Sequence, residues 1–182
     1  MRGTAGATSR VLVAGIGNVF LGDDGFGVEV ARRLTAVGAT RLGGEVDVVD
    51  YGIRGVHLAY ELLDGRYGTL VMVDAVPMGE WPGTLAVLAV DGRATPPLEP
   101  ADAFEAPAVD AHSMNPEAVL RVLRGLGGGV DRVLVIGCEP ASIDARMGLS
   151  EPVAAVVDDA VRLVAEVVDD ELARRGTPAE VG

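Results

Sequence analysis

The chain has 182 residues, 49% of them hydrophobic, and a formal net charge of −12 in which every basic side chain is an arginine. This length and composition predict one globular domain with a single sizeable core. The acidic balance argues against a nucleic-acid-binding protein and against a protein of anionic membrane surfaces, since both need a basic face. The single cysteine excludes an internal disulfide and a cysteine-based zinc site.

The ends of the chain carry no targeting or membrane signal. The stretch MRGTAGATSR lacks the apolar segment of a signal peptide, and no apolar run reaches the ~18 residues of a membrane span. We therefore expect a cytoplasmic protein that does not bind membranes. We also expect a single domain over residues 1–182, with an ordered core at about 10–176 and loose termini.

Five short apolar runs predict strands, and the third, TLVMVDAV, is apolar on both faces as a central parallel strand should be. The fourth follows the turn-rich segment PMGEWPG after too few residues for a crossover helix, so we expect it to run antiparallel to its neighbour. The predicted strands are Arg10–Gly15, Glu45–Asp50, Thr69–Val76, Gly83–Val90 and Asp131–Gly137.

Apolar residues at helical spacing predict four helices among these strands. The first helix follows the opening loop near Val30, and the second runs from about Val56 to Gly65. The third starts at an Asn115 cap with Pro116 in first position, and the fourth extends from a Ser150 cap to Gly176. The order β-α-β-α-β-β-α-β-α predicts an α/β fold: a three-layer sandwich with a five-stranded, mostly parallel twisted sheet flanked by helices. The segment Asp91–Val109 predicts a long loop, and such loops are often functional.

The opening loop GIGNVFLGDDGFG does not fit a nucleotide site. Gly15 and Gly17 match the start of the dinucleotide fingerprint, but Phe20 stands where its third glycine belongs. Two acids follow, and they would repel a pyrophosphate. The absence of lysine excludes the P-loop pattern.

The common hydrolase patterns are also missing. There is no G-x-S-x-G and no H-E-x-x-H in the sequence. Cys138 follows a strand, yet the neighbouring Glu139 would raise the pKa of the thiol rather than activate it. We interpret Cys138 as a buried structural residue, and we assign no role to His57 in the second helix.

Four oxygen and nitrogen donors remain. Asp23 and Asp24 follow the first strand, Asp74 closes the third, and His112 ends the long loop. If the first and third strands are neighbours, Asp24 and Asp74 meet at the carboxyl edge of the sheet, where α/β proteins bind ligands. Two carboxylates and an imidazole suit Ni, Zn, Fe or Mn and leave positions open for substrate. A turn-capping role for Asp74 and a surface-loop role for His112 stay open.

Several motifs occur together in a characteristic order. They are GIGNVFLGDDGFG, VDAV, GTL, AHSMNP, GCEP and GLSEPV. With this set the sequence resembles the hydrogenase maturation proteases, the endopeptidases of the [NiFe]-hydrogenase pathway, over about Arg10 to Arg175. The family fold is a twisted, mainly parallel sheet between helices, in agreement with the prediction above.

The resemblance implies an endopeptidase that removes the C-terminal extension of a [NiFe]-hydrogenase large-subunit precursor after nickel insertion. No cofactor would be permanently bound, because the Ni(II) arrives with the substrate, although other divalent ions could occupy the site. The metal-contacting residues of the family correspond to Asp24, Asp74 and His112, with Asp24 and Asp74 as the catalytic candidates. Many members carry Glu where this chain has Asp24, which keeps the oxygen donor on a shorter arm.

The resemblance also implies substrate contacts from the loop DYGIRG, which contains Gly52, Arg54 and Gly55. This loop departs from the family pattern, since many members have a glycine at Tyr51 and a small residue at Arg54. The hydrogenase that serves as partner is therefore left open. Trp81, in the loop that follows Asp74, is expected to be partly exposed, either to pack against the partner or to belong to a lid over apolar surface.

Two alternatives come from other functional classes. One is a metal-independent aspartic-type processing endopeptidase that uses Asp24 and Asp74 on a different precursor. The other is a non-enzymatic nickel-binding chaperone that holds the large-subunit precursor without shortening it.

Overall fold

The structure is a computed structural model that describes residues 10–36, 42, 44–91 and 115–176. The candidate ligand His112 lies outside the described residues. So does the predicted long loop, apart from its first residue, Asp91.

Five strands form one sheet. The strands are β1 (Arg10–Ile16), β2 (Val46–Gly52), β3 (Tyr67–Ala75), β4 (Leu85–Val90) and β5 (Arg132–Cys138). Their order in the sheet is β2-β1-β3-β5-β4. All neighbouring strands are parallel except β4, which pairs antiparallel with β5. The five predicted strands and the antiparallel direction of the fourth are confirmed, and so is the pairing of β1 with β3.

The helices of the described residues are α1 (Phe26–Ala36), α2 (Gly55–Leu62), α3 (Pro116–Gly125), α4 (Glu151–Ala155) and α5 (Val157–Gly176). The first three match their predictions. A 3-10 turn at Gly22–Gly25 precedes α1, and Asn115 caps α3 by accepting a 2.9 Å hydrogen bond from the N–H of Ala118 at Oδ1.

The prediction of a single last helix is wrong, because the helix breaks at Val156. The N–H of Val156 bonds the carbonyl of Val153 at 3.2 Å, a tighter spacing than the α-helical one, and α5 begins at the next residue. Val153 and Val157, on either side of the turn, are both buried in the core. Ser150 stands at the cap position as predicted, but its side chain makes no capping hydrogen bond.

The core consists of two apolar layers, one on each face of the sheet. Successive residues of β1 enter opposite layers, Val11 and Val13 on one face and Leu12 and Ala14 on the other, as strand geometry requires. The first layer packs against α1, α4 and α5, and the second against α2 and α3. The predicted α/β sandwich is therefore confirmed. Among the helices of the described chain, none has both the length and the apolar character needed to cross a bilayer.

Candidate active site

Two glycines let the first helix and its preceding turn lie directly on the carboxyl edge of the sheet. Gly17 has a φ of +128°, and a Cβ there would lie 1.8 Å from the carbonyl oxygen of Asp24. A Cβ on Gly27 would lie 2.0 Å from the carbonyl oxygen of Val73 and 2.4 Å from that of Ile16. Only glycine tolerates such approaches, and they hold Asp24 close to the ends of β1 and β3.

Asp24 and Asp74 come together at this edge. Asp74, in β3, is buried at 6% exposure, whereas Asp24 is half-buried and accepts a 2.7 Å hydrogen bond from the N–H of Asn18 at Oδ2. Burial raises the pKa of Asp74 well above its ordinary value, and the nearby charge of Asp24 raises it further. Burial also raises the pKa of Asp24, against the opposing effect of the Asn18 hydrogen bond.

These pKa shifts follow from two carboxylates that share a site of low polarity. Within the described ranges neither Asp24 nor Asp74 forms an ion pair with an arginine or histidine. The pair therefore attracts either a proton or a cation. The described part of the chain contains no group of three or more His, Cys, Asp or Glu side chains that could hold a metal ion. The third candidate ligand, His112, lies outside that part.

Asp23, the other acid of the opening loop, has a different environment. It is 1% exposed, and one oxygen accepts hydrogen bonds from the N–H of Ala141 at 2.8 Å and of Ser142 at 3.1 Å. Ser150 donates to the same carboxylate twice, from its N–H to Oδ1 at 2.6 Å and from its hydroxyl to Oδ2 at 2.8 Å. Burial alone would raise the pKa of Asp23, but these donors lower it. Asp23 thus anchors the loop of residues 139–150 to the opening loop.

Two cavities lie beside the carboxylate pair. One, of about 450 Å³, lies along the opening loop and the end of β2. The other, of about 400 Å³, has Asp74 in its wall and extends between β4 and the start of α3. The first includes Gly52 and Arg54, so the structure places two of the four predicted substrate-binding residues in one cleft with Asn18.

The end of β2 and the loop that leads into α2 are held together by their own side chains. Gly52 has a φ of +55°, which favours glycine, and the next turn leads into α2. The guanidinium of Arg54 donates to the carbonyl of Tyr51 at 3.0 Å and to that of Asp50 at 2.6 Å, so it stabilises the loop itself. Tyr51 is buried in the core layer beneath the loop, and Gly55 is the buried first residue of α2.

Trp81 is 85% exposed, in the loop between β3 and β4. That loop is ordered by Glu139, a residue that our sequence analysis considered only as a neighbour of Cys138. The buried carboxylate of Glu139 accepts hydrogen bonds from the N–H of Met78 at 2.5 Å and of Glu80 at 3.2 Å. The sequence contained a signal for this role of Glu139, because an acid directly after a strand can accept hydrogen bonds from a glycine-rich turn such as PMGEWPG.

The two residues that we set aside behave as expected. Cys138 is fully buried, and burial together with the charges of Asp23 and Glu139 raises the pKa of its thiol to about 12. A thiol with this pKa is not a nucleophile at neutral pH. His57 is exposed on α2.

Comparison with known proteins decides the family. The family model described as hydrogenase maturation protease matches residues 28–167. The chain belongs to the hydrogenase maturation proteases. It is similar to a putative hydrogenase maturation protease of Methanocaldococcus jannaschii, with 32% identity over 85% of this chain and 93% of the relative. It is also similar to the coenzyme F420 hydrogenase subunit delta of Methanothermobacter thermautotrophicus, with 30% identity over 88% of this chain and 95% of the relative.

Solved structures agree with this assignment. The hydrogenase 2 maturation peptidase of a Thaumarchaeota archaeon has 33% identity and a TM-score of 0.63 over 87% of this chain and 97% of that one. The hydrogenase maturating endopeptidase HybD of Escherichia coli has the same fold, with a TM-score of 0.65 over 89% of this chain and 93% of that one. The sequence identity is 23%. This hydrogenase maturation protease is therefore a peptidase, and its family acts on hydrogenase subunit precursors. The non-enzymatic chaperone is not supported.

Proposed function

We propose that this hydrogenase maturation protease removes the C-terminal extension of a [NiFe]-hydrogenase large-subunit precursor after nickel has been inserted. The observation that carries the proposal is the proximity of Asp24 and Asp74 at the carboxyl edge of the sheet, where the turn that contains Asp24 packs against β3. The charge of Asp24 accordingly raises the pKa of Asp74. The nickel is part of the substrate in this account. We place the reaction in the cytoplasm.

The charge of the pair supports recognition of a substrate-borne cation. Two carboxylates near each other, without an ion-pair partner in the described ranges, are stabilised when a divalent ion approaches. Asp24 is the more exposed of the two carboxylates. The N–H of Asn18 holds Oδ2 of Asp24 in place, so the orientation of the whole carboxylate is set by the turn. His112 completes the proposed set with a nitrogen donor, which a borderline ion such as Ni(II) accepts.

Binding of the substrate's nickel by Asp24, Asp74 and His112 would hold the scissile peptide next to the carboxylates and convert recognition into orientation. The ion would supply Lewis acidity toward the peptide carbonyl. One carboxylate of the pair would accept a proton from the attacking water as a general base. The cleft with Gly52, Arg54 and Gly55 nearby, and the exposed Trp81, would contact the precursor outside the cleaved bond.

One observation favours a second candidate function. Two adjacent carboxylates of unequal burial, with one pKa raised by the other, also form the arrangement of an aspartic-type peptidase, in which the pair shares a proton. Such an enzyme would need no metal, and His112 would be dispensable.

Mass spectrometry of the precursor separates the two functions. The protease is incubated with nickel-loaded and nickel-free large-subunit precursor, and the masses are recorded over time. Our proposal predicts shortening of the nickel-loaded form alone. Equal shortening of both forms would favour the aspartic-type peptidase, and shortening of neither would contradict both functions.

A further inference from the structure

Three large apolar side chains project into solvent from two loops next to the candidate active site. Phe20 is 65% exposed, Ile143 is 55% exposed and Met147 is 70% exposed. We call these three residues the apolar rim. Phe20 belongs to the opening loop, only four residues before Asp24, and the other two belong to the loop between β5 and α4.

The two loops of the apolar rim are joined by backbone hydrogen bonds. The N–H of Arg146 donates to the carbonyl of Phe20 at 3.0 Å, and the N–H of Gly22 donates to the carbonyl of Arg146 at 2.9 Å. The N–H of Asp23 reaches the carbonyl of Ser142 at 3.1 Å, and the buried carboxylate of Asp23 adds four further bonds to this loop and the start of α4. The rim is therefore held in place before any partner binds.

The apolar rim is also fixed relative to the carboxylate pair. The N–H of Phe20 donates to Oδ1 of Asn18 at 3.0 Å, and the N–H of Asn18 donates to Asp24. A cavity of about 170 Å³ lies beside Met147, and it shares Val19 and Arg32 with the larger cleft that contains Phe20. The two cavities thus adjoin along the opening loop, from Met147 to the cleft that contains Phe20, Gly52 and Arg54.

From these observations we infer that the apolar rim is the docking surface for the folded body of the large-subunit precursor. This inference rests on the proposed function. Phe, Met and Ile beside arginines, here Arg32 and Arg146, have the composition of a protein–protein interface core. Truncating exposed, preordered anchors of this kind costs affinity, because little conformational entropy is lost when they bind.

The position of the rim favours the substrate over a second copy of the chain. A partner that covers Phe20 and Met147 also covers the cavities that these two side chains line, including the cleft with Gly52 and Arg54 that is proposed to contact the precursor. A stable dimer through this surface would close the site, whereas the substrate has to cover it during the reaction. The precursor therefore fits this location.

The test is a steady-state comparison on nickel-loaded precursor with the double variant Phe20→Ser/Met147→Ser. The matched control is Tyr60→Ser/Leu126→Ser, which removes two side chains of 57% and 44% exposure that belong to α2 and the end of α3, away from the rim. We expect the rim variant to raise KM by roughly tenfold or more with kcat within about twofold, and the control to change neither. Equal melting temperatures for all three proteins establish that the variants are folded.

Three results would overturn the inference. The first is a rim variant with the KM and kcat of the wild type. The second is a rim variant in which only kcat falls. The third is a wild-type protein that is dimeric and a rim variant that is monomeric, with the same KM for both. If the wild-type protein leaves the precursor intact, the proposed function fails instead. Direct binding of the precursor to immobilised wild-type protein and rim variant then decides the docking surface, since retained binding by the variant contradicts it.

Discussion

The side chains of Asp74 and Asp24 interact electrostatically across the ends of β3 and the opening loop. Burial raises the pKa of Asp74 well above the ordinary value for aspartate, and the charge of Asp24 raises it further. An ionised Asp74 is therefore unfavourable for the folded state. The protein keeps two carboxylates where an apolar or amide side chain would be more stable, which is typical of functional sites.

The first prediction concerns Asp74→Asn. We expect this variant to abolish processing and to have a free energy of unfolding at pH 7 at least as large as that of the wild type, because it replaces a buried carboxyl group whose ionisation is unfavourable in the folded state. Chemical denaturation measures the free energy of unfolding, and the precursor assay measures processing. A variant that is clearly less stable than the wild type would contradict the electrostatic account.

The second prediction is the pH dependence that belongs to the same pair. The folded protein retains a proton on Asp74 at pH values where the unfolded chain has released it. The free energy of unfolding of the wild type therefore falls as pH rises from the ordinary aspartate value through the raised one. The stability difference between Asp74→Asn and the wild type should widen over this interval. Denaturation curves of both proteins across the interval measure it, and a constant difference would rule out the raised pKa.

Asp23→Ala is expected to destabilise the protein by at least about 3 kcal/mol, because it removes a buried charged acceptor with four donors. The pKa of Asp23 is lowered, so this stabilisation is present at neutral pH and is lost as pH falls through the lowered value. Urea unfolding at pH 7 measures the effect. Asp144→Ala, in the same loop but exposed, is the control and should change little. Equal midpoints for the two variants would contradict the anchoring role.

Gly17→Ala should fail to form the site. The φ of +128° is strained for alanine, and its Cβ would overlap the carbonyl oxygen of Asp24. We expect a large loss of stability, with processing reduced or absent. Gly129→Ala is the control, because a Cβ there meets no atom within 4 Å. A Gly17→Ala protein that melts and processes like the control would show that the loop has another conformation.

The apolar pattern was sufficient to predict the sheet. The ends of each predicted strand lie within two residues of the observed ones, because every strand is a short apolar run bounded by turn residues. The break at Val156 could not be predicted in this way, since neither proline nor glycine marks it.

The candidate site was only partly predictable. Adjacent identical residues, Asp23 and Asp24, have opposite roles, because the donors to Asp23 come from positions 118 to 127 residues away. The pairing of Asp24 with Asp74 followed from a correct assumption about neighbouring strands. The ordering of the Trp81 loop by Glu139 was missed, since it depends on a contact between segments about 60 residues apart.

Processing of nickel-loaded precursor by wild type, Asp24→Asn, Asp74→Asn and His112→Ala, followed by mass spectrometry, tests the central claim most directly. The account predicts a shortened large subunit with the wild type and an intact precursor with all three variants, each of which remains folded by circular dichroism. Shortening at the wild-type rate by any of the three variants would contradict it.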